Sequence, residues 1–301
     1  MRRRPRTKYT ETQKALMWER WKSSQYDPRA EVEAGTISQD HRHREDSRAD
    51  MPGGTNSERK LPRMGVPTDL AGSVRVLAFD IFGTVVDWHG SIVREMAQLH
   101  PEVDGDAFAR AWREGYRPAM ARVMSGELGW TRIDDLHRMI LDDILPRFGL
   151  IGLAEAERAH LNRVWHRLDP WMDSVEGLTR LKRQYTICTL SNGNIGLLTN
   201  MAKRAGLPWD CILSAEVFRA YKPDPATYLG VARVFDLPPG QVMLVAAHHD
   251  DLAGARACGL RTAYVERPFE FGTAHPKDVS PHPDNDLHCE GIAALADVLG
   301  A

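Results

Sequence analysis

Short apolar runs rich in β-branched residues begin at residue 74 and recur along the rest of the chain. Strands that are covered on both faces of a parallel sheet are apolar throughout, without the alternation of a half-exposed strand. Four runs have this character: 74–79, 185–190, 242–247 and 262–265. They predict the buried strands of a parallel sheet.

The segments between these runs have helical spacing and end near Gly or Pro, as crossover helices do. They are 195–205, 225–235 and 251–258. Alternating strands and helices of this kind predict a doubly wound α/β domain with a Rossmann-like core.

A long insertion, 91–175, separates the first strand from the second and is nearly all helical in pattern. Its best segments are 106–124, 132–148 and 154–167. Open α/β sheets bind ligands beyond the carboxyl ends of their strands, so a helical cap at this point would cover the site. We therefore expect a core of 73–90 and 176–301, with a cap of 91–175.

The first 72 residues differ in composition from the rest. Residues 1–24 carry eight Lys/Arg against two Glu, and residues 23–72 are polar with scattered apolar positions. The sequence predicts a basic start followed by a disordered linker, possessing too little apolar surface for a core. A fusion or a misplaced start is our preferred interpretation, and a nucleic-acid-binding arm is the alternative.

Composition narrows the class of protein. In 301 residues, 43% are hydrophobic, which is enough for a sizeable core, and the formal net charge of -2 gives no general reason to expect nucleic acid. The four cysteines are far apart, typical of reduced thiols. We find neither a membrane-spanning run nor a secretory segment, so we expect a cytoplasmic protein.

A carboxylate stands where the first strand gives way to a loop, in the segment AFDIFGTVVDW. Asp80 is followed by Gly83 and Thr84, which suit a tight turn. A carboxylate at this crevice can attack an electrophilic carbon or phosphorus and form a covalent intermediate. By itself this Asp could equally cap a turn.

Three later segments place polar residues at successive strand ends. LSNGN supplies Ser191 and Asn192, YKPDPATY supplies Lys222 and Tyr228, and VAAHHDDLAGA supplies Asp251. A hydroxyl, an amide and an ammonium can orient a carboxylate nucleophile and balance its charge. Singly, these residues could be helix caps or surface groups; the ordered set favours a catalytic site.

With these motifs, residues 74–300 resemble the haloacid dehalogenase superfamily, and D-x-F-G-T with S-N-G and Y-K-P-D resembles its type II 2-haloacid dehalogenases. The resemblance implies that Asp80 displaces halide from C2 of a short 2-haloalkanoic acid, after which water cleaves the ester. It implies no cofactor and no metal. A homodimer is a further expectation at the level of the family.

The resemblance also implies roles for individual residues. Lys222, Ser191 and Asn192 would orient Asp80 and the substrate carboxylate, Asp251 would position or activate water, and Thr84 would hold the nucleophile loop. In the segment AWREGY, Arg113 would accept the leaving halide, although Arg110, Arg117 and Arg122 are nearby.

Substrate-binding roles are expected of Phe82, Trp130, Tyr228 and His248. Phe82 and Trp130 would give apolar walls, with simple cap packing as the alternative for Trp130. His248 and Asp250 stand where better-known members have Asn and Trp, and Glu114 stands where Gln is expected. His248 could donate a hydrogen bond, act as a general base or only pack.

Two other functions compete with dehalogenation. A magnesium-dependent phosphatase of the same superfamily would need an Asp at the position of Phe82 and usually one at Ala247, which leaves Asp250 and Asp251 as the remaining acids. A nucleic-acid-associated protein would use the basic residues 1–24, and its binding would be sensitive to salt.

Overall fold

The computed structural model describes residues 68–301, which form one parallel sheet with helices on both faces. The sheet has six strands in the order β5-β4-β1-β6-β7-β8. Their bounds are β1 Val76–Phe79, β4 Thr186–Ser191, β5 Cys211–Ser214, β6 Val242–Ala246, β7 Arg261–Val265 and β8 Leu287–Cys289. This is the predicted α/β, Rossmann-like fold.

Alternate residues of the central strand supply two separate cores. In β1, Leu77 and Phe79 belong to the larger core on one face, whereas Val76 and Ala78 belong to the core on the other face. All four residues are buried. Two covered faces explain why β1 and β6 are apolar at every position and were predicted within two residues.

The two outer strands β5 and β8 were not predicted. β5 has only four residues and β8 only three, and both lie at edges of the sheet. An edge strand is short and half-covered, so it lacks the long apolar run that marked the central strands. A second small ladder, between β2 Val86–Asp87 and β3 Asp169–Pro170, was also missed.

The helices between β2 and β3 form the segment where the cap was expected. They are α2 Trp88–Leu99, α3 Gly105–Glu114, α4 Tyr116–Met124, α5 Ile133–Ile144 and α6 Glu155–Asn162, with 3₁₀ turns at Leu145–Phe148 and Arg163–His166. The predicted continuous helix 106–124 is thus two helices that meet at Gly115. A Cβ on Gly115 would lie 2.4 Å from Ile140 Cγ2, so the junction packs directly on α5.

The remaining helices connect the strands and flank the sheet. They are α1 Thr68–Ser73, α7 Ser174–Leu181, α8 Ile195–Ala205, α9 Ala215–Phe218, α10 Pro225–Val234, α11 His249–Ala257 and α12 Ile292–Leu299. The predicted crossover helices correspond to α8, α10 and α11. Of the helices between residues 68 and 301, none combines the length and apolarity needed to cross a bilayer.

The N-terminal predictions fall mostly outside the described residues. This applies to the basic segment 1–24 and to the linker up to residue 67. Residues 68–72, which end the predicted linker, belong to α1, and Leu70 is buried in the larger core. The domain boundaries themselves stay a prediction.

Candidate active site

Asp80 follows β1 directly and lies at the carboxyl edge of the sheet. Its backbone N–H donates to Val245 O on the neighbouring strand at 3.0 Å. Thr84 Oγ1 donates to Asp80 Oδ2 at 2.8 Å and accepts from the backbone N–H of Ala247 at 3.0 Å. Thr84 therefore joins the Asp80 loop to the end of β6 and fixes the carboxylate in one orientation.

The Asp80 carboxylate is buried but ionised. Burial opposes its charge, yet the positive charges of Lys222 and His248 and their hydrogen bonds outweigh burial and hold the Asp80 pKa well below its usual range. Lys222 Nζ donates to Oδ1 at 2.8 Å, and His248 Nδ1 lies 3.2 Å from Oδ2. A carboxylate held charged away from water is a ready nucleophile.

Lys222 lies between two buried carboxylates. Its ammonium is 2.8 Å from Asp80 Oδ1 and 2.5 Å from Asp251 Oδ2. Burial would lower its pKa, but the two negative charges together raise the Lys222 pKa above its ordinary value. Lys222 therefore stays protonated and offsets the negative charges of these two carboxylates.

The side chain of Tyr228 points toward Asp251. Its hydroxyl donates to Asp251 Oδ1 at 2.7 Å, and its side chain is fully buried. Burial chiefly, and the neighbouring Asp251 charge, raise the Tyr228 pKa far above its ordinary value, so the phenol stays protonated. Tyr228 was expected to contact the substrate, but its side chain has no exposed surface.

Ser191 and Asn192 shape the loop between β4 and α8. Ser191 Oγ accepts from the backbone N–H of Gly193 at 3.1 Å, and Asn192 Oδ1 accepts from the backbone N–H of Lys222 at 2.8 Å. The N-cap of α8 is Asn194, so neither residue is the helix cap considered as an alternative. Asn192 holds the backbone of the residue that carries the ammonium.

His248 bridges Asp80 to a second buried carboxylate, Glu270. Its Nδ1 faces Asp80, while its Nε2 lies 2.9 Å from Glu270 Oε1. Glu270 is fully buried and also accepts from Lys277 Nζ at 2.7 Å and from Trp88 Nε1 at 3.3 Å. The sequence had given no role to Glu270 or Lys277.

The charges around His248 favour its protonated form. Burial alone would lower its pKa, but the Glu270 carboxylate and hydrogen bonds to Asp80 and Glu270 raise the His248 pKa to about 9. Burial likewise disfavours charge on Glu270, and His248 and Lys277 reverse this and lower the Glu270 pKa. At neutral pH the resting site contains an imidazolium between two carboxylates.

The loop after β7 delivers these unpredicted groups. Besides Glu270 and Lys277, it brings Arg267, whose Nε donates to Thr84 O at 2.9 Å and whose Nη2 donates to Asp173 Oδ1 at 2.9 Å. The loop is irregular and rich in Pro, and it has neither helical nor strand periodicity. No pattern in the sequence distinguished its charged residues from surface residues.

Replacing Gly83 by Ala should destabilise the site strongly. Gly83 has φ +83°, and an added Cβ would lie 2.1 Å from Oε1 of Glu270, whose carboxylate is fixed by three hydrogen-bond donors. The matched control is Gly126→Ala, at φ +82° with nothing within 4 Å. In denaturant unfolding, we expect Gly83→Ala to lower the free energy of unfolding by about 2 kcal/mol more than Gly126→Ala does. Both substitutions strain the backbone, but only Gly83→Ala also adds a steric clash. Equal losses would contradict this account of Glu270.

Arg113 differs from the other arginines of its neighbourhood. Arg110 pairs with Asp106, Arg117 with Asp250 and Arg122 with Glu127. No carboxylate between residues 68 and 301 pairs with Arg113, and its Nη1 is buried without a hydrogen-bond partner. Its guanidinium lies over Tyr116, 4.3 Å from the ring centroid, and 5.5 Å from that of Trp88. A buried donor without a partner is suited to an anion.

Phe82 belongs to an aromatic cluster beside the nucleophile. It meets Trp165 edge-on at 5.6 Å and His137 at 6.3 Å, and His137 stacks on Trp165 at 4.1 Å. Burial lowers the His137 pKa to about 3, so this imidazole is neutral. The wall next to Asp80 is therefore apolar and uncharged.

Trp130 packs next to the segment that carries Lys222. It is half-buried and stacks on Tyr221 at 5.0 Å, with Arg219 on its ring. Tyr221 precedes Lys222, so Trp130 supports the segment that carries the ammonium.

The acidic residues left over from the phosphatase hypothesis are not arranged as a magnesium site. Asp250 pairs with Arg117 at 3.3 Å, and Lys222 occupies the space between Asp80 and Asp251. Within 68–301 there is no group of three or more His, Cys, Asp or Glu residues placed to hold a metal. Glu114, which stands where Gln is expected, is exposed to solvent.

Comparison with known proteins identifies the class. A family model described as haloacid dehalogenase-like hydrolase matches residues 74–259. The chain belongs to this family of hydrolases. The match spans β1, β4, β5 and β6 with the helices between them, and it ends before β7.

Several individual proteins are similar to this chain in sequence or structure. The chain is 28% identical over 210 residues to (S)-2-haloacid dehalogenase 1 from Pseudomonas sp. (strain CBS-3), covering 67% of this chain and 89% of that one. The solved L-2-haloacid dehalogenase PA0810 is 43% identical, with TM-score 0.72 over 75% of this chain and 99% of its own. The defluorinating L-2-haloacid dehalogenase Rha0230 is 46% identical, with TM-score 0.72 over 76% and 96%. A phosphoglycolate phosphatase from Neisseria meningitidis is 24% identical over 70% of this chain and 88% of its own.

Proposed function

We propose that this chain hydrolyses the carbon–halogen bond of short 2-haloalkanoic acids to give 2-hydroxy acids through an ester on Asp80. The observation that carries the proposal is the buried, ionised Asp80 carboxylate held between Lys222 and Thr84, with an apolar wall on one side. Dehalogenase relatives at 43% and 46% identity support the same assignment.

In the first step, an oxygen of Asp80 attacks C2 of the substrate from the side opposite the halogen. The C2–O bond forms as the C2–halogen bond breaks, the halide takes the bonding electron pair, and configuration at C2 inverts. Lys222 and Thr84 fix the carboxylate, which converts a bimolecular encounter into an oriented attack. In the second step, water attacks the Asp80 carbonyl carbon and releases the 2-hydroxy acid.

The charges of the site suit an anionic substrate. Three buried carboxylates, Asp80, Asp251 and Glu270, are matched by three cations, Lys222, His248 and Lys277. Arg113 is a further cation without a carboxylate partner in 68–301. It can therefore stabilise the negative charge that collects on the departing halogen.

The direct test is to measure halide and 2-hydroxy acid released from each enantiomer of 2-chloropropionate and from monohaloacetates, with EDTA present. A magnesium-dependent phosphatase assay runs beside it. Release of both products in EDTA, with selection of one enantiomer, is expected. Phosphate release in magnesium without halide release would favour the phosphatase instead.

Arg113→Met should lower kcat/KM for halide release about 10²-fold, because a donor placed where charge develops is lost. The matched control is Arg122→Met, whose guanidinium pairs with the exposed Glu127 and should change kcat/KM little. Halide release is followed by ion chromatography. Equal effects of the two substitutions would remove Arg113 from the proposed role.

Among residues 68–301, four buried nitrogens without a hydrogen-bond partner lie in this aromatic cluster and in the arginine beside it: Trp165 Nε1, both ring nitrogens of His137, and Arg113 Nη1. The N–H groups among them can donate weak hydrogen bonds to a halogen, which supports a haloacid over a phosphate ester as the substrate. A dianionic phosphate would need more than one cation here.

A further inference from the structure

Glu270 is a buried carboxylate that the two-step reaction above does not use. It is fully buried and accepts from His248, Lys277 and Trp88. Burying a carboxylate carries a large desolvation penalty unless charge and hydrogen bonds offset it. Two cations and an indole N–H thus hold this carboxylate behind His248.

We propose that Glu270 is a positioning residue that orients His248, and that His248 is the general base that activates the hydrolytic water. This inference rests on the proposed ester at Asp80. It assigns the second step to a His–Glu pair formed by the end of β6 and the loop after β7.

Asp251, the other group expected to act on water, is engaged on both oxygens. Oδ1 accepts from the Tyr228 hydroxyl at 2.7 Å, and Oδ2 accepts from Lys222 Nζ at 2.5 Å. His248 Nδ1, in contrast, lies 3.2 Å from Asp80 Oδ2 and so borders the carbonyl carbon that water must attack. Geometry therefore favours His248 as the base.

In the resting site, both ring nitrogens of His248 carry protons. Nδ1 forms an ion pair with Asp80 Oδ2 at 3.2 Å, and Nε2–H donates to Glu270. The groups that face the ring are Asp80 at the end of β1 and Glu270 and Lys277 from the loop after β7, with Lys222 beyond Asp80. This imidazolium helps keep Asp80 ionised for the first step.

Ester formation changes this balance. Asp80 loses its negative charge, so the Nδ1 proton of His248 loses its anionic partner and dissociates to solvent. This is the proton released in the overall reaction with the halide. Glu270 still accepts from Nε2–H, so the neutral imidazole is held in the tautomer whose Nδ1 lone pair faces the ester.

Hydrolysis then balances as follows. Water gives one proton to Nδ1 as its oxygen bonds to the Asp80 carbonyl carbon. The tetrahedral intermediate expels the substrate oxygen, which takes the proton from Nδ1 and leaves as the 2-hydroxy acid. Asp80, now a carboxylic acid with one oxygen from water, returns its remaining proton to Nδ1 and restores the ion pair.

The test is a rapid-quench comparison of Glu270→Gln with the wild type. The variant should release about one halide per active site in a fast burst and then turn over about 10² times more slowly, because only hydrolysis is impaired. Mass spectrometry of the quenched variant should find Asp80 heavier by the haloacid less hydrogen halide. His248→Asn should accumulate the same ester.

The matched control is Glu266→Gln, which removes a carboxylate from another histidine, His288, at 2.7 Å. It should show no burst and wild-type turnover. Glu270→Asp, which keeps the charge, should recover part of the hydrolysis rate. If Glu270→Gln does not fold, Glu270→Asp and His248→Asn are compared with the wild type in its place.

The pH profile of single-turnover ester hydrolysis gives a second readout. The rate should rise with pH as His248 loses its proton, and in Glu270→Gln this rise should shift to lower pH, because a neighbouring negative charge has been removed. A merely structural Glu270 would leave the position of this rise unchanged, and that result would overturn the inference.

The outcomes separate the two proposals. If the wild type releases no halide from any haloacid, the proposed function fails. If it releases halide, but Glu270→Gln and His248→Asn accumulate no ester or slow ester formation instead, dehalogenation stands and the His248–Glu270 assignment is wrong.

Discussion

Asp80→Asn should abolish halide release from 2-haloacids, with kcat reduced by more than about 10⁴-fold. The amide has nearly the shape of the carboxylate, and its one oxygen can still accept from Lys222, but it lacks the anionic oxygen needed to displace halide. The assay uses enough of the variant that its halide release can be distinguished from that of any contaminating wild-type enzyme.

The control for Asp80→Asn is Asp104→Asn. Asp104 caps α3 and accepts from Ala107 N, a role that Asn performs as well, so activity should persist. Turnover by Asp80→Asn, once mass spectrometry has excluded deamidation back to Asp, would remove Asp80 as the nucleophile.

Lys222→Met should impair both folding stability and turnover. Met has a similar length but leaves Asp80 and Asp251 buried without the ammonium, at a cost of about 3 to 5 kcal/mol in the free energy of unfolding at neutral pH. Ester formation should also become undetectable, since the nucleophile loses its orienting partner. Chemical denaturation and halide assays measure the two effects.

The pH dependence of the Lys222→Met deficit identifies its cause. Without the ammonium, the pKa values of the buried carboxylates rise above their unfolded values, so the penalty is greatest at neutral pH and shrinks as pH falls toward about 4. The control is Lys182→Met, which breaks a part-exposed pair with Asp210 and should cost at most about 1 kcal/mol. A deficit that is the same at pH 5 and pH 8 would contradict this explanation.

The His248–Glu270 pair also explains a departure from the pattern of better-known relatives. His248 stands where an Asn is expected, and a His at that position needs a way to remain correctly protonated beside a nucleophile. Glu270 and Lys277 supply it from a distant part of the chain. The departure at 248 and the buried charges at 270 and 277 are thus one structural feature.

The sequence by itself determined the central sheet and the order of the residues at its edge. β1 and β6 are apolar at every position, and β4 and β7 are largely buried, because both faces of the sheet are covered. The local sequence pattern was therefore enough to locate these strands. Parallel strands bring their carboxyl ends to one edge, and this rule was enough to group Asp80, Ser191, Lys222 and Asp251.

Only the tertiary structure decided which of the remaining side chains share that site. It separated Arg113 from Arg110, Arg117 and Arg122, since these three pair with carboxylates and Arg113 has none among residues 68–301. It also turned Tyr228 toward Asp251. It also brought Glu270 and Lys277 from an irregular loop to His248. Such contacts join residues far apart in the chain, and a loop without periodicity carries no local signal of the partner that it will meet.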